Sequence, residues 1–108
     1  FGVMGGFQQP QGHLQVISNI IDYGLGPQDA LDALRFSLDV DDMKTISVED
    51  DLDINVINDL KSKGHKIKVV AGNERIMFGG AQVARYNNET GVISLGTEPR
   101  KDGSALAY

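Results

Sequence analysis

The chain has 108 residues, a formal charge of −5 and no cysteine. The length suits one domain with a modest core, the missing thiols exclude a disulfide framework, a thiolate zinc site and a cysteine nucleophile, and the acidic balance argues against a nucleic-acid surface, which needs clustered Lys and Arg. No apolar run reaches the roughly eighteen residues of a membrane-spanning helix, and no basic stretch leads into an apolar block at the front, which argues against a membrane span and a retained signal peptide and leaves a signal on a longer precursor open.

The first feature along the chain is Gly5-Gly6, ahead of a helix predicted from about Gln11 to Tyr23. Two glycines without Cβ atoms let their amides approach a ligand and adopt angles closed to other residues, and the helix behind them adds exposed donors and the positive end of its dipole. Such a junction can hold an anion or a developing oxyanion; it also serves as a plain turn from strand to helix. In the helix, Leu14, Ile17 and Ile21 share one face, widened by Val16 and Ile20, as for a helix packed on a sheet. Gly24 and Gly26 end it.

Pro27 suits the first position of a second, short helix, with Ala30, Leu31, Leu34 and Phe36 as its apolar stripe. Ile46 and Val48 alternate with polar neighbours and predict a brief strand. Asp51 or Asp53 can cap a third helix carrying Ile54, Ile57 and Leu60, closed by Gly64. The period then changes to two, so Ile67 and Val69, Ile76 and Phe78, Ala81 and Val83, and Val92 and Ser94 predict successive strands. Asn87-Asn88-Glu89-Thr90-Gly91 is a hairpin signal between the last two. Two helices, a strand, a helix and an antiparallel meander describe an α+β unit covering one face of a sheet.

Other candidate motifs carry less chemistry. Asp51, Asp53 and Asn55 match the opening ligands of a calcium loop, but Val56 stands where the turn needs glycine and Ser62 where a bidentate Glu is needed, so capping explains them better. Asp39, Asp41 and Asp42 read as solvated linker residues. His13, in the first turn of the first helix, has no neighbouring serine or orienting carboxylate and reads as a structural histidine bonded to nearby backbone, while His65 faces water. Gly24-Leu25-Gly26 follows a helix rather than a strand and lacks the third glycine of a dinucleotide fingerprint. Lys61, Lys63, Lys66 and Lys68 read as a solvated edge, and Arg100 with Asp102 as a local ion pair in the tail.

The wording Gly5-Gly6 followed by Pro10-Gln11-Gly12-His13 resembles the small subunit of the gamma-glutamyltranspeptidase family. The resemblance continues through Asn19, Asp22-Tyr23-Gly24, Pro27-Gln28-Asp29-Ala30 and Asp32-Ala33-Leu34-Arg35-Phe36, and returns at Glu98-Pro99-Arg100-Lys101-Asp102-Gly103. Leu34 replaces the family's usual proline, and Thr97-Glu98 its frequent Ser-Asp. The resemblance implies an αββα layered sandwich of the N-terminal-nucleophile hydrolase type, with helices on a largely antiparallel sheet. It also implies a precursor that cleaves itself, with a threonine at the new N-terminus acting as nucleophile and, through its α-amine, as its own base.

On that resemblance residues 1–108 are one domain, the C-terminal portion of the small subunit, with the threonine upstream of Phe1. Gly5 and Gly6 are then the catalytic positions of this segment, through backbone amides forming an oxyanion hole. No cofactor or metal is implied. The expected partners are the large subunit, the upstream part of the small subunit, and a gamma-glutamyl or related amide such as glutathione, cleaved by acyl transfer to water or an amine. By itself the segment should be inactive. The alternative is a non-catalytic module that binds a partner subunit or a small anion.

Overall fold

The computed structural model describes residues 1–106. Strand β1 (Gly2–Met4) leads through a 3-10 turn (Gly6–Gln8) into helix α1 (Gln9–Ile21) and then the short helix α2 (Pro27–Asp32). Strands β2 (Phe36–Leu38) and β3 (Thr45–Glu49), helix α3 (Ile54–Ser62) and strand β4 (Lys66–Val70) follow. A second 3-10 stretch (Gly72–Phe78) precedes β5 (Gly80–Tyr86) and β6 (Ile93–Thr97).

The strands form two three-stranded sheets, β1-β5-β6 and β2-β3-β4. Three of the four strand pairings are antiparallel; β3 and β4 run parallel because α3 carries the chain back between them. Val3, Ala81 and Val83 meet Val16 of α1 and Leu31 of α2 in the main core, so both helices lie on the first sheet. This is the expected α+β architecture, with helices layered on largely antiparallel sheet.

Local signals set most of the boundaries. Pro27 opens α2, and the Asp53 carboxylate accepts the Asn55 amide at 2.7 Å to cap α3. Gly64 follows α3 at φ 93, and the Asn87–Gly91 turn joins β5 to β6.

Other expectations are corrected. Leu14 and Ile21 of α1 are 65% and 70% exposed, while Gly12 and Val16 are the buried positions. The reason is steric: a Cβ on Gly12 would stand 2.8 Å from Val3 Cγ1, so the helix approaches β1 most closely through its glycine. Leu34 and Phe36 are exposed as well, and Phe36 begins β2 rather than continuing the helical stripe. Ile76 and Phe78 lie in the 3-10 stretch and not in a strand; Phe78 alone is buried, with Ile76 facing out.

Glutamine side chains tie the two sheets' surroundings together. The Gln11 amide accepts from Leu38 N–H at 2.8 Å and donates to Leu38 O at 3.1 Å, and Gln15 does the same with Phe36 at 2.9 Å each way. A primary amide presents a donor and an acceptor side by side, as a neighbouring strand would. One turn of α1 therefore satisfies the outer edge of β2. Gln28 pairs with the Thr97 backbone in the same way, at 3.0 Å in both directions.

Candidate active site

The turn after β1 is a backbone arrangement that glycine makes possible. Gly5 adopts φ 153 and Gly6 φ 56, both in the region that disfavours side chains. The Gln8 amide closes the turn onto Gly5 O at 3.0 Å, and α1 begins at the next residue. Among the described residues, the Gly5 and Gly6 amides donate to no other protein atom. Gly5 and Gly6 line a cleft of about 350 Å³ together with Gln11, Ser37, Leu38, Asp39 and Asp41. The first turn of α1 carries no acidic residue, so nothing on the helix neutralises the positive end of its dipole. Two adjacent unpaired amides at a helix head can hold an anion or an oxyanion.

His13 contributes to holding this turn and not to chemistry in the cleft. Its Nδ1 lies 2.7 Å from Gln9 O and its Nε2 accepts Val3 N–H at 3.3 Å, which assigns the ring proton to Nδ1. Asp39 and Asp42 organise the β2–β3 turn: Asp39 accepts the Asp41 and Asp42 amides, and Asp42 accepts the Lys44 and Thr45 amides and the Thr45 hydroxyl. The Thr45 hydroxyl, with the two amides, holds the Asp42 carboxyl down to about 2. Among the described residues, no three His, Asp or Glu side chains gather as a metal-binding group.

Behind the turn lies a cluster of buried charges that sequence reasoning missed. Arg35, Glu49 and Glu98 are 3%, 0% and 2% exposed, and the Arg100 side chain is equally covered. Arg100 does not pair with Asp102. Its guanidinium reaches Glu49 through Nε at 2.7 Å and through Nη2, and Glu98 through Nη1 at 2.7 Å. It also donates to Leu31 O and Ala33 O, each at 2.9 Å, satisfying carbonyls at the end of α2. Arg35 pairs with Glu98 at 2.8 Å and donates to Phe78 O at 3.3 Å and Gly79 O at 3.1 Å. Arg75 closes the outer side of Glu49 at 2.8 Å.

Burial pushes both carboxyls up, yet the hydrogen bonds they accept reverse this. Arg100, the Arg35 amide and Arg75 hold Glu49 below its ordinary value, and Arg100, the Ala81 amide and Arg35 do so for Glu98. Burial lowers Arg35, which has Glu98 as its close carboxylate and Arg100 as a like-charged neighbour. Arg100 is raised despite burial because two carboxylates bond to it. The sequence signal for the cluster was thin: Glu49 ends an apolar strand, and Glu98 and Arg100 flank a proline.

The family model for gamma-glutamyltranspeptidase matches residues 1–108. The glutathione hydrolase-like YwrD proenzyme of Bacillus subtilis (strain 168) is 31% identical over 98% of this chain, which spans 20% of that protein. Cephalosporin acylase from Bacillus halodurans is 46% identical over 99% of this chain and 19% of its own, with a TM-score of 0.90. Gamma-glutamyltranspeptidase from Pseudomonas nitroreducens, at 24% identity, has the same fold over 99% of this chain and 53% of its own, with a TM-score of 0.82. The chain thus corresponds to about a fifth of the curated relative's length, with the fold of N-terminal-nucleophile hydrolases. With its whole length matched, this chain belongs to the gamma-glutamyltranspeptidase family.

Proposed function

We propose that this segment supplies the oxyanion hole of a gamma-glutamyltranspeptidase-like enzyme, through the backbone amides of Gly5 and Gly6. The substrate is a gamma-glutamyl or related amide. A threonine hydroxyl upstream of Phe1 attacks the amide carbonyl while the threonine's α-amine takes its proton, and the negative oxygen of the tetrahedral intermediate is received by the two amides. Collapse breaks the C–N bond, the departing amine takes up the proton, and an ester remains on the threonine. Water or an acceptor amine then attacks that ester, releasing a carboxylic acid or a new amide. The large subunit and the upstream part of the small subunit complete the site, and no cofactor takes part.

The observation that carries this reading is a pair of glycines that line a cleft at the head of a 13-residue helix and whose amides have no acceptor among the described residues. Family membership implies a hydrolase or transferase. The names of the similar proteins, a cephalosporin acylase and a glutathione hydrolase-like proenzyme, support amide-bond chemistry.

The test is Gly6→Val in the complete enzyme. A Cβ at this position meets no atom within 4 Å, so the change crowds the open side of the amides and strains the turn at φ 56 without touching the core. Rapid-quench measurement of acyl-enzyme formation should show a loss on the order of 10²-fold. Near-normal acylation would overturn the assignment.

A further inference from the structure

The geometry points to Arg35 as a positioning residue for the Gly5 and Gly6 amides, acting through the backbone at Phe78–Gly80; this rests on the oxyanion reading above. Gly79 is packed against the turn. A Cβ on Gly5 would stand 3.1 Å from Gly79 Cα, and one on Gly79 would stand 2.7 Å from Met4 O. Met4 itself is registered opposite Gly80. The turn therefore has no room to move toward Gly79, and its placement follows that of residues 78–80.

Those residues are in turn fixed by buried charge. Arg35 Nη1 donates to both Phe78 O and Gly79 O, and Glu98 Oε2 takes both Arg35 Nη1, at 2.8 Å, and the Ala81 amide, at 2.8 Å. Gly79 has φ 88 and Phe78 is fully buried, so the segment has a single well-packed arrangement. All three contacts leave the single nitrogen Nη1, which stands between the two carbonyls and the Glu98 carboxylate, while Nε and Nη2 are buried without a protein partner. Movement here by a fraction of an ångström would misdirect the two amides, and catalysis is sensitive to errors on that scale.

The experiment uses the complete enzyme with its two subunits co-expressed as separate chains, so that formation of the nucleophile does not depend on self-cleavage. Arg35→Lys keeps the charge on the Glu98 side, but its nitrogen stands one bond short of the place of Nη1 and draws back from the two carbonyls. Acylation by a chromogenic gamma-glutamyl anilide should fall about tenfold or more, with KM within about twofold. Affinity for a boronic acid carrying the gamma-glutamyl skeleton, which becomes tetrahedral on the nucleophile, should fall by the same factor, while affinity for glutamate is unchanged. A merely structural role would lower active protein and leave both ratios alone.

Glu98→Gln, which weakens the hold on Arg35 and keeps an acceptor for Ala81, should shift the same two quantities less, and decides the matter if Arg35→Lys does not fold. Normal acylation and boronate affinity in these variants, with Gly6→Val impaired, overturns the positioning role alone. Normal values in all three overturn the oxyanion reading with it.

Discussion

The glycine turn and the two buried carboxylates behind it treat hydrogen-bonding groups in opposite ways. At Gly5 and Gly6 two amides are left without a protein acceptor at the edge of a cleft, whereas every oxygen of Glu49 and Glu98 is engaged away from water. Unspent hydrogen-bonding capacity is what a reacting group can use; saturated capacity is what fixes a backbone in place. The two regions meet at Gly79, which packs on the turn and accepts from Arg35.

The contrast predicts that the cluster governs stability and the turn governs rate. Removing Glu49 takes one of the two carboxylates from buried Arg100, the near partner from Arg75 and the acceptor from the Arg35 amide, so Glu49→Ala should destabilise the complete protein by about 3–5 kcal/mol in denaturant titration. A loss under 1 kcal/mol would mean that water reaches the cluster.

Acid should act on the same region. Glu49 and Glu98 have folded-state values depressed below the ordinary 4.5, so their contribution is fully present above that pH and is lost as pH falls through the folded values. Melting temperature should therefore be flat from neutrality toward pH 5 and drop steeply below about 4.5. In Glu49→Gln that drop should be shallower.

A smaller effect isolates the packing beneath the turn. Gly12→Ala improves helix propensity and yet puts a methyl 2.8 Å from Val3 Cγ1, so a net loss of about 1–3 kcal/mol is expected, with faster amide exchange at β1. Stabilisation would show that α1 can back away from β1. The smallest effect should come from the exposed Lys63–Asp59 pair on α3, where Lys63→Ala should change stability by about 0.5 kcal/mol or less and leave acylation unchanged.

How much of this was legible in the sequence depended on the range of the interaction. Capping and turn chemistry act over a few residues, and Pro27, Asp53, Gly64 and the Asn87–Gly91 hairpin could be read directly. Strands β1 and β2, each three residues long, are too short to show a period. The α1 face was misjudged because hydrophobicity counts Leu14 and Ile21, whereas close approach is set by Gly12, which has no side chain to count. The alternation of Ile76 with Phe78 mimicked a strand within a 3-10 stretch.

At the site, the Gly-Gly wording was visible, but not the cluster that backs it. Arg100 meets Glu49 across 51 positions and Arg35 meets Phe78 O across 43, and no local spacing reports such pairs. Charged residues are ordinarily solvated, so Arg35, Glu49 and Glu98 carried no sign of burial. The glutamines at 11 and 15 are likewise ordinary helix formers until β2 is seen alongside them.

The central claim is most directly tested by the structure of the complete enzyme carrying a tetrahedral boronate adduct on its nucleophile. The account predicts one boronate oxygen within about 2.7–3.1 Å of both the Gly5 and the Gly6 amide nitrogens, in the cleft at the head of α1. An adduct whose oxygens bond elsewhere, with those two amides still facing solvent, would contradict it.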